Sequence, residues 1–122
     1  SSNIGVENVG SGKIIIDGIT IQSTGNAIRN VVANTESETL SNPSVMIKSG
    51  VIESSNSNGV RCAANRVIDI QGGTIKGITA IQMADNAIVN ITDATIEGND
   101  GINNYNNGQL YIKDESTFNL FY

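Results

Sequence analysis

The 122-residue sequence is poor in several residue types, and each deficit excludes a class of protein. It has one cysteine and no histidine, so it forms no internal disulfide and lacks the commonest general base and metal ligand. Seven lysine and arginine residues are scattered along the chain against twelve acidic residues, which gives a net charge of −5. Nucleic acids and anionic membranes need a clustered basic face, so we expect neither as a partner.

Long apolar runs are also missing. No run approaches the ~20 residues of a membrane-spanning helix, so we expect no membrane insertion. Hydrophobic residues make up 39% of the chain, and they are mostly isoleucine and valine, which prefer strands. The chain combines a single cysteine, a negative net charge and many asparagine, serine and threonine residues. This composition is typical of bacterial extracellular proteins, so we expect an extracellular or cell-surface location.

A repeat of 21 residues organises the sequence. Residues 66–86 align with residues 87–107 at a shift of 21, and earlier segments align with small insertions. Four apolar columns result: Ile14, Val45, Ile68, Val89, Leu110; Ile16, Ile47, Ile70, Ile91, Ile112; Ile21, Ile52, Ile75, Ile96; and Val6, Ile28, Val60, Ile81, Ile102. An outward column reads Thr20, Val51, Thr74, Thr95, Ser116, and a further slot holds Asn30, Cys62, Met83, Asn104.

The repeat predicts an all-β fold. Each unit has three short apolar clusters with the period-two alternation of strands, separated by glycine, asparagine, aspartate and serine, which favour turns. We predict a right-handed, three-faced parallel β-solenoid of about five coils of 21 or more residues. It forms one domain, residues 1–122, with partial first and last coils and a lateral insertion at residues 34–41. A helical solenoid is disfavoured because leucine is rare.

Asparagines occupy one slot of the repeat, three residues before the first apolar column: Asn42, Asn65, Asn86 and Asn107. Stacked asparagine amides can hydrogen-bond along a solenoid, and asparagine tolerates left-handed turns. In these asparagines, and in the segments GGTIKG and DATIEG, the chain resembles the right-handed parallel β-helix (pectate-lyase-like) superfamily. Within it, the short repeats resemble those of bacterial surface and adhesin-like proteins. The resemblance implies a structural asparagine ladder.

The resemblance also brings polysaccharide lyases and hydrolases into consideration. The hydrolases of this superfamily use clustered aspartates with a histidine, which this sequence lacks. The lyases use calcium held by several acidic residues, and Asp93 with Asp114, near Glu97 or Asp100, are the candidates. We interpret these four as solvated turn acids. We therefore predict no catalytic residue, no metal and no cofactor.

The two ends of the predicted solenoid are the candidate interfaces. The tail alternates Phe118, Leu120 and Tyr122 on one side of a strand. These three residues with Phe121, and Ile4 and Val6 at the apolar start, are predicted assembly residues, because the end of a solenoid exposes unpaired strand edges.

We expect a non-enzymatic extracellular structural or adhesive module that binds itself, end to end in a filament, or a cell-surface or carbohydrate ligand. The alternatives are a lyase-like or carbohydrate-binding β-helix and a segment of a phage tail-fibre type.

Overall fold

The described part of the chain is made of short strands. A computed structural model describes residues 3–9, 12–31 and 43–120, which contain fifteen strands and no helix. Within those ranges, therefore, no helix is present that could cross a membrane. Strands of three to five residues follow from the sequence, because each isoleucine and valine cluster is interrupted by residues that favour turns.

The strands form three sheets of five, and all pairs that the structure describes are parallel. Sheet A has the spatial order β1 (Val6–Val9), β4 (Ile28–Val31), β7 (Asn58–Cys62), β10 (Thr79–Met83), β13 (Asp100–Asn104). Sheet B has the order β2 (Ile14–Ile16), β5 (Val45–Ile47), β8 (Val67–Ile70), β11 (Ile88–Thr92), β14 (Gln109–Lys113). Sheet C has the order β3 (Ile19–Ser23), β6 (Gly50–Ser54), β9 (Thr74–Lys76), β12 (Thr95–Gly98), β15 (Thr117–Leu120). The predicted three-sheet parallel solenoid of about five coils is confirmed.

The apolar columns of the repeat are the interior of the solenoid. The pairing places Ile47 on Ile70 and Ile70 on Ile91, as the repeat predicts. In the middle coils these side chains are fully buried, because each lies between its equivalents in the coils on either side. Continuous stacks of β-branched residues thus fill a core only one coil wide.

The last coil departs from the predicted register in sheet C. Thr95 pairs with Thr117 and Ile96 pairs with Phe118, so the predicted place of Ser116 in the outward threonine column is wrong. The shift in sheet B is still 21, since Thr92 pairs with Lys113. The turn between β14 and β15 therefore holds one extra residue, and Phe118 completes the interior column of Ile21.

Asparagines at one turn adopt left-handed backbone conformations. The φ angles of Asn65, Asn86 and Asn107 are 62°, 60° and 59°, a region that asparagine enters far more readily than most residues. The described asparagines of this turn thus share a left-handed backbone conformation, and the side-chain ladder stays a prediction. Asn42 and the insertion at 34–41 lie outside the described residues.

Candidate functional site

The interior columns end in exposed apolar side chains at one end of the solenoid. Ile112 is 45% exposed, whereas Ile91, its partner in the preceding coil, is fully buried. Phe118 and Leu120 are 39% and 49% exposed. No described strand pairs with the outer edges of β13, β14 and β15. We call this surface the C-terminal face and define it by these three edges and the side chains of Ile102, Leu110, Ile112, Phe118 and Leu120.

Gly101 makes room for the aromatic strand on the C-terminal face. A methyl group at Gly101 would lie 3.2 Å from both Phe118 Cδ2 and Leu120 Cδ2. The missing side chain therefore lets β15 lie close across the coil. The structure brings the predicted assembly residues Phe118 and Leu120 together on this face, while Phe121 and Tyr122 lie outside the described residues.

The opposite end also exposes strand edges, but its interior is closed. The outer edges of β1, β2 and β3 have no described partner. Nevertheless Ile16 and Ile21 are only 2% and 9% exposed, and the predicted assembly residues Ile4 and Val6 are half-buried. We call this surface the N-terminal face and define it by these three edges and the side chains of Val6, Asn8, Ile14, Ile16 and Ile21. The two faces therefore differ: interior apolar side chains are more exposed to solvent at the C-terminal face than at the N-terminal face.

Ile4 lines a groove of about 450 Å³ beside the N-terminal face. The lining residues are Asn3, Ile4, Gly5, Gln22, Ser23, Thr24, Glu53 and Ser55. Glu53 is the ionisable side chain among them, and its carboxylate accepts a hydrogen bond from Gln22 Nε2 at 3.5 Å and lies 4.0 Å from Lys76 Nζ. Glu53 is thus the one titratable side chain among these lining residues, and its charged neighbour Lys76 lies outside the lining.

One column of side chains in sheet A has an asparagine at each end of the solenoid and sulfur-containing residues between them. The strand pairing stacks Asn8, Asn30, Cys62, Met83 and Asn104. Asn8 Nδ2 donates to Asn30 Oδ1 at 3.2 Å, and Asn30 Nδ2 donates to Ser44 Oγ at 2.7 Å. Asn8 and Asn30 are therefore buried with their amides satisfied. Asn8 was not recognised in the sequence, although it stands 22 residues before Asn30 in the repeat.

Cys62 is the one thiol of the chain, and it is fully buried in this slot. Its Sγ donates a hydrogen bond to the Arg66 carbonyl at 3.4 Å. Burial raises the pKa of the Cys62 thiol to about 12, and this effect outweighs the Ile88 backbone hydrogen bond and the positive charge of Arg66, which lower it. The thiol is therefore protonated at neutral pH, and a protonated thiol is neither a nucleophile nor a metal ligand.

We expect Cys62 to resist alkylation in the folded chain. Incubation with iodoacetamide at pH 8 should leave the native protein unmodified, because pH 8 lies well below a pKa of about 12 and the side chain is not exposed. Mass spectrometry after the same treatment in denaturant should show complete modification. Rapid labelling of the native chain would contradict the burial of this residue.

The four acids considered for calcium do not converge. Asp93 and Asp114 lie at equivalent turns with φ angles of 55° and 62°, and Asp93 Oδ1 accepts the Glu115 backbone N–H at 3.0 Å. Glu97 is on β12 and its Oε1 accepts from Asn119 Nδ2 at 3.3 Å. Across residues 3–9, 12–31 and 43–120, no group of three cysteine or acidic residues is arranged to hold a metal ion.

The outward side of sheet A carries an ion pair. Arg29 Nη1 lies 3.1 Å from Glu7 Oε2, and the next residue of this column is Arg61. Because these groups are partly exposed, the pair adds little to stability.

No family model, no curated protein and no solved structure matches the chain. The proposed function therefore rests on the geometry.

Proposed function

We propose that this solenoid is a non-enzymatic structural module of an extracellular or cell-surface protein, which acts by joining end to end with further β-solenoid coils. The observation that carries the proposal is the C-terminal face, where Ile112, Phe118 and Leu120 are exposed beside three open strand edges. An open edge is a template for another strand, and exposed apolar side chains gain free energy when they are covered.

The partner that fits both features is another coil of the same kind. Three open edges surround one apolar interior, so a flat surface or a single strand would satisfy only part of the face. A coil with three parallel strands pairs all three edges and buries the interior side chains at once. This is the relation that successive coils already have inside the chain.

Two further observations support a structural role. The groove near Ile4 presents the single carboxylate of Glu53, and the thiol of Cys62 is buried. Left-handed asparagine turns and three parallel sheets also support membership of the pectate-lyase-like superfamily, in its adhesin-like repeat type, as part of this proposal.

End-to-end association should depend on Ile112. We expect Ile112→Asn to weaken concentration-dependent association of the 122-residue chain, measured by sedimentation velocity, by about fivefold or more, because a buried polar side chain without a partner costs about 1–3 kcal/mol. The matched control is Ile78→Asn. Ile78 is the same residue type and is equally exposed, 46% against 45%, but it lies between β9 and β10, away from both faces.

The control should associate like the unmodified chain. Circular dichroism of each variant establishes that the fold is retained. Equal weakening by both substitutions would show that association is a general effect of exposed isoleucine. A chain that sediments as a monomer at millimolar concentration would contradict the proposed function.

A further inference from the structure

The two end faces share a local structure. Asn8 Nδ2 donates to the Gly12 carbonyl at 2.9 Å, and Asn104 Nδ2 donates to the Gly108 carbonyl at 2.9 Å. Both asparagines belong to the same slot of sheet A. We propose that the C-terminal face binds the N-terminal coil of a second copy of this chain, in the register that continues its columns. This inference rests on the proposed function and specifies its partner.

The asparagine slot identifies the partner. Within the chain, Asn8 also donates to Asn30 of the next coil. Asn104 has Met83 as its neighbour in the preceding coil, and a thioether is only a weak acceptor. When Asn8 of the second copy follows Asn104, the amide of Asn104 repeats the bond that Asn8 makes to Asn30. The junction then holds three consecutive asparagines, and Asn104 gains a second acceptor beside the Gly108 carbonyl.

Charges at the two faces are complementary in the same register. Asp17 directly follows Ile16 in the first coil, and Lys113 directly follows Ile112 in the last coil. Ile16 and Ile112 belong to one column of sheet B, so continuing the register places Lys113 beside Asp17 of the second copy. Opposite charges that face each other on neighbouring strands stabilise the pairing.

Other registers are excluded by the interior. A shift of one residue would turn Leu110 and Ile112 of the C-terminal face against outward side chains of the second copy, because side chains alternate along a strand. The contact is one coil in cross-section, smaller than the ~800 Å² per partner of a standard interface, so association should depend strongly on concentration.

A disulfide trap tests the register. Ile15 and Tyr111 lie in the same outward column of sheet B and are 55% and 54% exposed. Within one copy they are four coils apart, about 19 Å, which is too far for a disulfide. In the proposed junction they are neighbours at about 4.8 Å. We expect the double variant Ile15→Cys with Tyr111→Cys to form a ladder of covalent dimers, trimers and larger species under mild oxidation.

Control variants separate the outcomes. The pair Ile19→Cys with Tyr111→Cys places the first thiol on sheet C of the same coil and should give no ladder. Native Cys62 is buried and does not contribute. Covalent dimers from Tyr111→Cys alone would show that C-terminal faces meet each other, which overturns the inference. Large species in sedimentation without the expected ladder would overturn the register alone. Monomers in both experiments would overturn the register and the proposed function together.

Charge reversal provides an independent measurement. Lys113→Glu and Asp17→Lys each place like charges at the junction, and each variant alone should associate roughly two- to fivefold more weakly at low salt. An equal mixture of the two should recover the association of the unmodified chain, because every junction between unlike copies again pairs opposite charges. A mixture that associates no better than the separate variants would contradict the proposed contact.

Discussion

Replacing Ile70 with alanine is expected to lower the free energy of unfolding by about 2–5 kcal/mol. Ile70 is fully buried in the third of five coils, between Ile47 and Ile91 of the adjacent strands. The neighbouring side chains are fixed by their own stacked strands, so they cannot move in to fill the space. The loss combines the transfer free energy of the missing carbons and the cost of a cavity.

Urea denaturation followed by circular dichroism measures this change. The control is Ile15→Ala in sheet B. Ile15 is an isoleucine of the first coil whose side chain is mostly exposed, so its substitution should change the free energy of unfolding by less than about 0.5 kcal/mol. Equal effects of the two substitutions would show that Ile70 is not part of the core.

Gly77→Ala is expected to destabilise the chain by about 1–3 kcal/mol or more, because it adds a methyl group where there is no space. The added carbon would lie 2.5 Å from Gly59 N, 2.7 Å from the Thr79 carbonyl oxygen and 2.8 Å from the Ser57 carbonyl oxygen. All three are backbone atoms at the corner between sheets C and A, so relief requires two coils to separate locally.

Gly12→Ala is the matched control for Gly77→Ala. Among the described residues, a methyl group at Gly12 would meet only Asn8 Oδ1, at an ordinary contact distance of 3.4 Å. The alanine also reduces the conformational freedom of the unfolded chain, so this variant should be as stable as the unmodified protein or slightly more stable. Thermal unfolding of the two variants side by side tests the difference. A Gly77→Ala protein as stable as the control would contradict the close approach of the coils.

The sequence was sufficient to predict the pairing of the strands, for a physical reason. Side chains alternate along a strand, so a register that keeps Ile70 inside also fixes Ile47 and Ile91 in the neighbouring coils. The period breaks where the interior no longer constrains it. The extra residue before β15 lies in an exposed turn, where one more residue changes no buried contact, so alignment by isoleucines could not place Phe118.

Burial of polar groups was harder to predict. Arg66 is 1% exposed, yet in the sequence it is one of several scattered basic residues. Asn8 is 5% exposed, in a slot that holds a sulfur-containing residue two and three coils later. The partners of Asn8 include Asn30 and the Ser44 carbonyl, 22 and 36 residues later in the chain, and such distant partners leave no periodic signal.

The position of the tail in the fold was predicted, whereas its role in assembly stays a prediction. The tail residues Phe118 and Leu120 do lie at an open end of the solenoid. Each coil is covered by the next one, and no described coil follows the coil that holds these two residues. The difference between the two faces was not predicted. Ile16 and Ile112 hold equivalent positions in the repeat, yet they are 2% and 45% exposed.

Electron microscopy of the concentrated 122-residue chain tests end-to-end assembly most directly. We expect unbranched rods one solenoid wide, whose lengths are multiples of about 24 Å, which is five coils at about 4.8 Å each, and whose diffraction shows a strong repeat at about 4.8 Å along the rod axis. Single compact particles at every concentration would contradict end-to-end assembly. Ribbons many solenoids wide, in which the ~4.8 Å repeat does not run along the long axis, would contradict it as well.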